Sequence, residues 1–186
     1  MVAVASRNLM TAREFECLQD NGRHYELIKG ELSEMVPPGG IHGSITCDFT
    51  IYTGFFIVSQ NLGQCFAAET GFLIERNPDT VFAPDWAFIT KERLPAIIPE
   101  GYISIIPDIV LETRSPSDTK RKVAEKVARW LEAGVKIVWE LNPTTKELTV
   151  YSQNSEPKVL RTEDTLTGGE ILPDFSLLLS KIFGNY

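Results

Sequence analysis

Pro107-Asp-Ile-Val-Leu-Glu-Thr113 reads as a β-strand that carries a carboxylate into a sheet. Alternation at period two puts Asp108, Val110 and Glu112 on one face and Ile109, Leu111 and Thr113 on the other. The strand is apolar enough to be central, so Glu112 loses water there unless a cation, a metal or hydrogen-bond donors meet it. Asp108 lies roughly 13 Å away along an extended strand, too far for both acids to ligate one ion directly. Asp85 is the better mate. It opens the preceding strand after Pro84, and strands about 4.8 Å apart let an Asp on one and a Glu on the next share a cation. Hard carboxylate oxygens favour magnesium or manganese over zinc.

Each of these residues also has a plain structural reading. Pro-Asp pairs are common at turns, and Glu112 could form an ion pair with Arg114 or Lys126 that merely satisfies the core. Downstream of Ser115-Pro-Ser117 a helix is predicted to about Ala133, with Val123, Val127, Trp130 and Leu131 on one stripe and Lys122, Lys126 and Arg129 along its edge. Lys126 lies nearest the stripe and can lay its stem over the core while its ammonium reaches toward Glu112, although many such lysines simply snorkel to water. Lys120-Arg-Lys122 with Lys126 and Arg129 is the densest positive patch and could dock phosphate.

Outward from this centre the pattern is mixed. Thr11-Ala-Arg-Glu14 has capping-box spacing and predicts a short helix, ended by Asp20-Asn-Gly22. Residues 25–28 and 31–35, around Lys29-Gly30, predict a hairpin. Ile45, Phe49, Tyr52 and Phe56 recur at helical spacing within 43–60. Strands are expected at 65–74, 81–89, 105–113, 137–141, 148–151 and 158–161, before an apolar end at 175–183. The fold class is therefore α/β (α+β): a mixed sheet core flanked by helices, with an N-terminal helix and β-hairpin, in a single domain over 1–186.

With 186 residues, 43% of them apolar, the chain can bury a sizeable core. No apolar run is long enough to span a bilayer and Met1 to Met10 lacks signal-peptide features, so a cytoplasmic protein is expected. Three scattered cysteines and two histidines argue against a zinc knuckle or disulfide framework. A net charge of −7 disfavours sequence-blind binding to a polyanion, so any nucleic-acid role must rest on a local basic patch.

Met10-Thr-Ala with Phe15, Tyr25-Glu-Leu-Ile-Lys-Gly-Glu-Leu32, Pro37-Pro with His42, Glu69-Thr-Gly71, Pro84-Asp85, Pro107-Asp108 through Glu112, Ser115-Pro-Ser117, Lys126, and Gly134-Val135 before Trp139 form an ordered set. In that set the chain resembles the Uma-two restriction endonucleases, a branch of the PD-(D/E)xK nuclease superfamily, from Met10 to about Phe183. The resemblance implies a restriction-endonuclease-like core, with Asp85 and Glu112 matching the metal-binding acid pair and the motif lysine moved onto the following helix as Lys126. It also implies hydrolysis of phosphodiester bonds with magnesium. Where the superfamily places its third motif residue, two after the glutamate, this chain has Arg114, which is always charged and cannot act as a base. Arg114 is accordingly expected to contact phosphate. Lys122 and Asn142 stand where relatives often carry acids. Glu31 and His42 match recurrent family positions and are expected in supporting roles, as are Asp108 and Lys122.

The expected function is a Mg2+ (or Mn2+)-dependent endonuclease acting on nucleic acid, DNA first, with Asp85, Glu112 and Lys126 as its catalytic residues. The rivals are a catalytically silent nuclease-fold module that binds nucleic acid or a protein partner, and a hydrolase of another phosphate ester. A homodimer or higher homo-oligomer is expected, because a small acidic domain offers little surface for enclosing a duplex and many nucleases act as symmetric pairs.

Overall fold

The structure, a computed structural model, describes residues 9–19 and 21–184. The reading of the first eight residues, and the place of Asp20 in the turn after the first helix, lie outside that range. In chain order the first elements are α1 (Ala12–Glu16), β1 (His24–Ile28), β2 (Glu31–Met35), α2 (Gly40–Gln60), β3 (Gly63–Ala67), β4 (Phe72–Glu75), β5 (Thr80–Phe82) and β6 (Trp86–Thr90). There follow β7 (Ile109–Thr113), α3 (Lys120–Ala133), β8 (Ile137–Asn142), β9 (Glu147–Ser152), β10 (Lys158–Leu160), β11 (Thr165–Gly168), β12 (Leu172–Leu178) and α4 (Ser180–Phe183).

Local sequence explains most of these boundaries. The Thr11 side chain accepts the Glu14 N–H while the Glu14 carboxylate accepts the Thr11 N–H, so the predicted capping box starts α1. That helix stops at Glu16, short of the Asn-Gly signal. Lys29 and Gly30 both take positive φ, which closes a two-residue hairpin with Ile28 facing Glu31. A Cβ on Gly30 would sit 2.5 Å from the Leu9 Cβ, so the turn needs glycine for space as well as conformation. Thr119 caps α3 through the Lys122 N–H, and Gly134 ends it at φ 105°.

Two predicted strands are each divided between different sheets. Residues 65–74 become the end of β3 and most of β4, and residues 81–89 become parts of β5 and β6. β3 and β6 join a six-stranded sheet in the order β10-β9-β8-β7-β6-β3, whereas β4 and β5 join a four-stranded sheet in the order β2-β1-β5-β4. The chain changes sheets at Ala83-Pro-Asp85 and at the turn through Glu69, which has positive φ. Pro84 has no N–H to give a ladder, so pairing breaks there. Periodicity cannot reveal such a switch, because the apolar pattern continues through it. A further antiparallel pair, β11-β12, covers the C-terminal end.

In the six-stranded sheet β7 runs antiparallel to β6 and parallel to β8, which makes it central as expected. One face packs Ile109, Leu111, Trp86 and Trp139 against Ile45, Phe49 and Ile57 of α2 and against the C-terminal segment. The other packs Val110, Ala87 and Val138 against Val127 and Trp130 of α3 and against Phe72 and Phe82 of the smaller sheet. Both helices thus fix the end of β7 that carries Glu112. No helix among the described residues is long and apolar enough to cross a membrane.

Asp108 stands at the opposite end of β7, fully buried. It accepts from the Thr90 N–H and hydroxyl at 2.9 and 3.0 Å and pairs with Arg93 and Lys136, each at 2.7 Å. Burial raises its pKa, but these donors and charges outweigh that and hold the carboxyl below its ordinary value. Its stabilisation is therefore present above the unfolded value of about 3.9 and is lost as pH falls through the folded pKa. Asp108→Asn should cost about 2 to 3 kcal/mol at pH 7, with the gap to wild type closing as urea unfolding is repeated at progressively acid pH.

Candidate active site

The register of β6 and β7 pairs Trp86 with Leu111 and Ala87 with Val110, and one step further along the ladder sets Asp85 opposite Glu112. Directly opposed residues in an antiparallel pair share a face, so the two carboxylates converge on the α3 side of the sheet. Asp85 is fixed from both ends: its N–H donates to the Leu111 carbonyl at 3.1 Å, and its Oδ2 accepts the Thr113 N–H at 2.7 Å. Both acids line a cleft of about 620 Å³ between the smaller sheet, the end of β7 and α3.

Lys126 enters this cleft from α3. Its ammonium lies 2.9 Å from Glu112 Oε2 and 3.0 Å from Glu26 Oε1, above the Phe82 ring at 5.5 Å from the centroid. Trp130, one turn on, donates its indole N–H to Glu112 Oε1 at 2.7 Å. Spacing i, i+4 stacks Lys126 and Trp130 on one helix face, so one segment of α3 supplies a partner to each Glu112 oxygen. The third acid, Glu26 of β1, is buried and also accepts the Ala83 N–H at 3.1 Å. Glu26 thereby ties the smaller sheet to the loop that delivers Asp85.

These charges act on one another. Burial first, then the negative charges of Asp85 and Glu26, raise the Glu112 pKa to about 7 against the opposing pull of Lys126. Burial alone would lower the Lys126 pKa, but the charges of Glu112 and Glu26 and the hydrogen bonds to both outweigh it, and the net shift is upward. Lys126 consequently remains an ammonium at neutral pH and acts as a fixed positive charge and donor, not as a base.

The expected supporting residues divide. His42, buried at the start of α2, places Nε2 at 2.9 Å from the Thr113 carbonyl and 3.4 Å from Asp85 Oδ2. Burial lowers its pKa, and the hydrogen bond and charge of Asp85, the Thr113 carbonyl and Asp118 together reverse that into a net rise. Arg114 lies in the cleft, its Nε 2.6 Å from Glu140 Oε1, and Glu140 in turn accepts the Tyr151 hydroxyl at 2.6 Å. Lys122 lines the same cleft from the first turn of α3. Glu31 is exposed at the hairpin turn and is not among the cleft residues; the hairpin acids that line the cleft are Glu26 and Glu34, and of these Glu26 meets Lys126. Asp108, as described, belongs to an ion cluster at the far end of β7.

Glu26, Trp130 and Glu140 were not among the residues expected at the site. Glu26 carried the same signal as Glu112, an acid inside an apolar strand flanked by Tyr25 and Leu27. Trp130 read only as core, since a stripe position does not reveal where an indole N–H is aimed.

Among the described residues no three His, Cys, Asp or Glu side chains are grouped to hold a metal ion. The donor set fits a magnesium-like ion that takes one or two carboxylates and completes its shell with water and phosphate. Both hydrogen-bond contacts of Asp85 use Oδ2, which leaves Oδ1 for such an ion. Lys126→Met should leave Glu26 and Glu112 facing each other without their shared cation and cost about 3 kcal/mol of stability. Adding Glu26→Gln should return part of that loss, which a double-mutant cycle in urea would register.

A family model described as "Putative restriction endonuclease" (Uma2) matches residues 12–180. Among solved structures, a crystal structure of "a putative nuclease belonging to DUF820 from Anabaena variabilis" superposes with a TM-score of 0.79. The match is at 21% identity, over 94% of this chain and 98% of that one, and carries the likeness of fold. A search of curated proteins finds no match. With its model matched from the start of the first helix to the start of the last, this chain belongs to the Uma2 family.

Proposed function

We propose that this protein is a magnesium- or manganese-dependent endonuclease that hydrolyses phosphodiester bonds in nucleic acid, with DNA as the first substrate to examine. The observation that carries the reading is the convergence of Asp85, Glu112 and the Lys126 ammonium on one cleft wall, in a chain of a restriction-endonuclease family. Asp85 and Glu112 would hold the ion, which when bound polarises the scissile phosphate and lowers the pKa of the attacking water.

The chain's own residues supply the rest. Lys126 presents a permanent positive charge where negative charge develops on the phosphate, and needs no reorganisation because Glu26 and Glu112 already aim it. Arg114 and Lys122 offer cations along the cleft for flanking phosphates, with Glu140 orienting the Arg114 guanidinium. Such a local patch is how a chain of net charge −7 can bind a polyanion. Trp130 holds Glu112 toward Asp85 in place of solvent. His42 and the Thr113 N–H orient Asp85.

One observation favours the rival, a catalytically silent nuclease-fold module: both Glu112 oxygens already have protein partners. Calorimetry separates the two, because a nuclease site takes up Mg2+ or Mn2+ through Asp85 and loses that binding in Asp85→Ala.

Wild type should cut DNA or RNA substrates only with Mg2+ or Mn2+. Asp85→Ala, Glu112→Gln and Lys126→Ala should each reduce the rate by about 100-fold or more, the scale expected on removing one electrostatic contributor. Glu31→Ala should leave the rate near wild type. Undiminished cleavage by the three purified, folded variants would overturn the assignment.

A further inference from the structure

The outer face of α2 is apolar in a way that packing within one chain does not explain. The inner face buries Ile45, Phe49, Thr53 and Ile57. At 100° per residue, Ile51, Phe55 and Val58 project from the opposite side of the helix. They are 59%, 76% and 74% exposed, and Ile41, at 59%, and Tyr52, at 40%, flank the same face. The 21-residue helix contains no Lys or Arg, and Asp48 is its only acid. A helix that is apolar on both sides is normally covered on both, yet no helix among the described residues is long and apolar enough to cross a membrane.

We infer that the outer face of α2, centred on Ile51, Phe55 and Val58, is the surface through which two copies of this chain associate as a symmetric dimer. Three features of the face favour a second copy over an unrelated partner. The exposed apolar side chains amount to about 600 Å² per copy, the upper end of what a soluble monomer leaves uncovered. Two such faces offer at most about 1,200 Å² to bury together, the lower edge of the range for a specific interface. Asp48 is the one charged residue that α2 places on this side, so a two-fold contact, in which residue i of one copy meets residue j of the other and the reverse, brings few like charges together. With −7 on each chain, few other surfaces could meet their own copy so cheaply. Ser44, Cys47 and Gly54 lie on the same side of the helix, and such small residues let two helices approach closely along that line.

The arrangement leaves the cleft open. His42 and Thr46 of α2 reach the end of β7 from the inner side, so pairing through the outer side does not cover Asp85, Glu112 or Lys126. The inference therefore stands apart from the proposed cleavage reaction.

Sedimentation velocity and light scattering on the wild-type protein across a concentration series should show a dimer. Phe55→Glu and Val58→Glu should each weaken self-association by about 100-fold, the scale of a central interface residue. Because both positions are exposed in the single chain, circular dichroism and thermal unfolding at low concentration should report a folded protein. Ile51→Ser provides a milder variant, expected to weaken association in the same direction. A wild type that is monomeric at every concentration, including one that binds lipid vesicles or only a different protein, overturns the inference. So does a dimer that all three substitutions leave intact.

Discussion

One ammonium, that of Lys126, holds this site together. Three carboxylates converge on a partly dehydrated cleft wall, and burial first, with the charges of the other two acids added to it, raises the pKa of Glu112 to about 7 even with the lysine in place. Lys126 bridges two of them, one from each sheet. The helix that carries it is anchored by Val127 and Trp130, both buried in the core between the sheets. Core packing and site electrostatics are therefore parts of one arrangement. A shift of α3 by a fraction of a turn would bury an apolar residue poorly and strand two acids at once.

That dependence accounts for the two-sheet design. A single flat sheet could present Asp85 opposite Glu112 by register alone, but it would leave both open to water. The chain instead leaves the smaller sheet after Phe82, passes through Ala83-Pro-Asp85 and enters the larger one at Trp86. Glu26 holds the first part of that passage through the Ala83 N–H, and the Thr113 N–H holds the last through Asp85. The break in pairing that Pro84 imposes is thus the feature that lifts Asp85 to the rim of the cleft.

The two acidic ends of β7 show how identical residue types acquire different roles. Asp108 meets two cations and two donors from Thr90, every one of them supplied by the protein, and its carboxyl stays readily ionised. Glu112 meets one cation, one indole and two other acids. The first environment is satisfied and static. The second retains an excess of negative charge, the condition that the divalent ion of the proposed reaction would require.

By itself the sequence determined the local elements: the capped first helix, the Lys29-Gly30 hairpin, the amphipathic α3 ended by Gly134, and the apolar strand that carries an acid near its end. These follow from short-range rules of turn geometry, capping and periodicity, which need no knowledge of neighbours. It also carried the pairing of Asp85 with Glu112 and the approach of Lys126, since strand spacing and helix faces limit what such residues can meet. Only the tertiary structure decided that two continuous apolar runs split between sheets, that Glu26 and not Glu31 enters the cleft, and that Trp130 serves Glu112 as well as the core. Arg114, open in sequence terms to several partners, is held by Glu140 of the adjoining strand. Each of those outcomes depends on which chain segments lie side by side, and pairing between distant segments leaves no periodic trace in either of them.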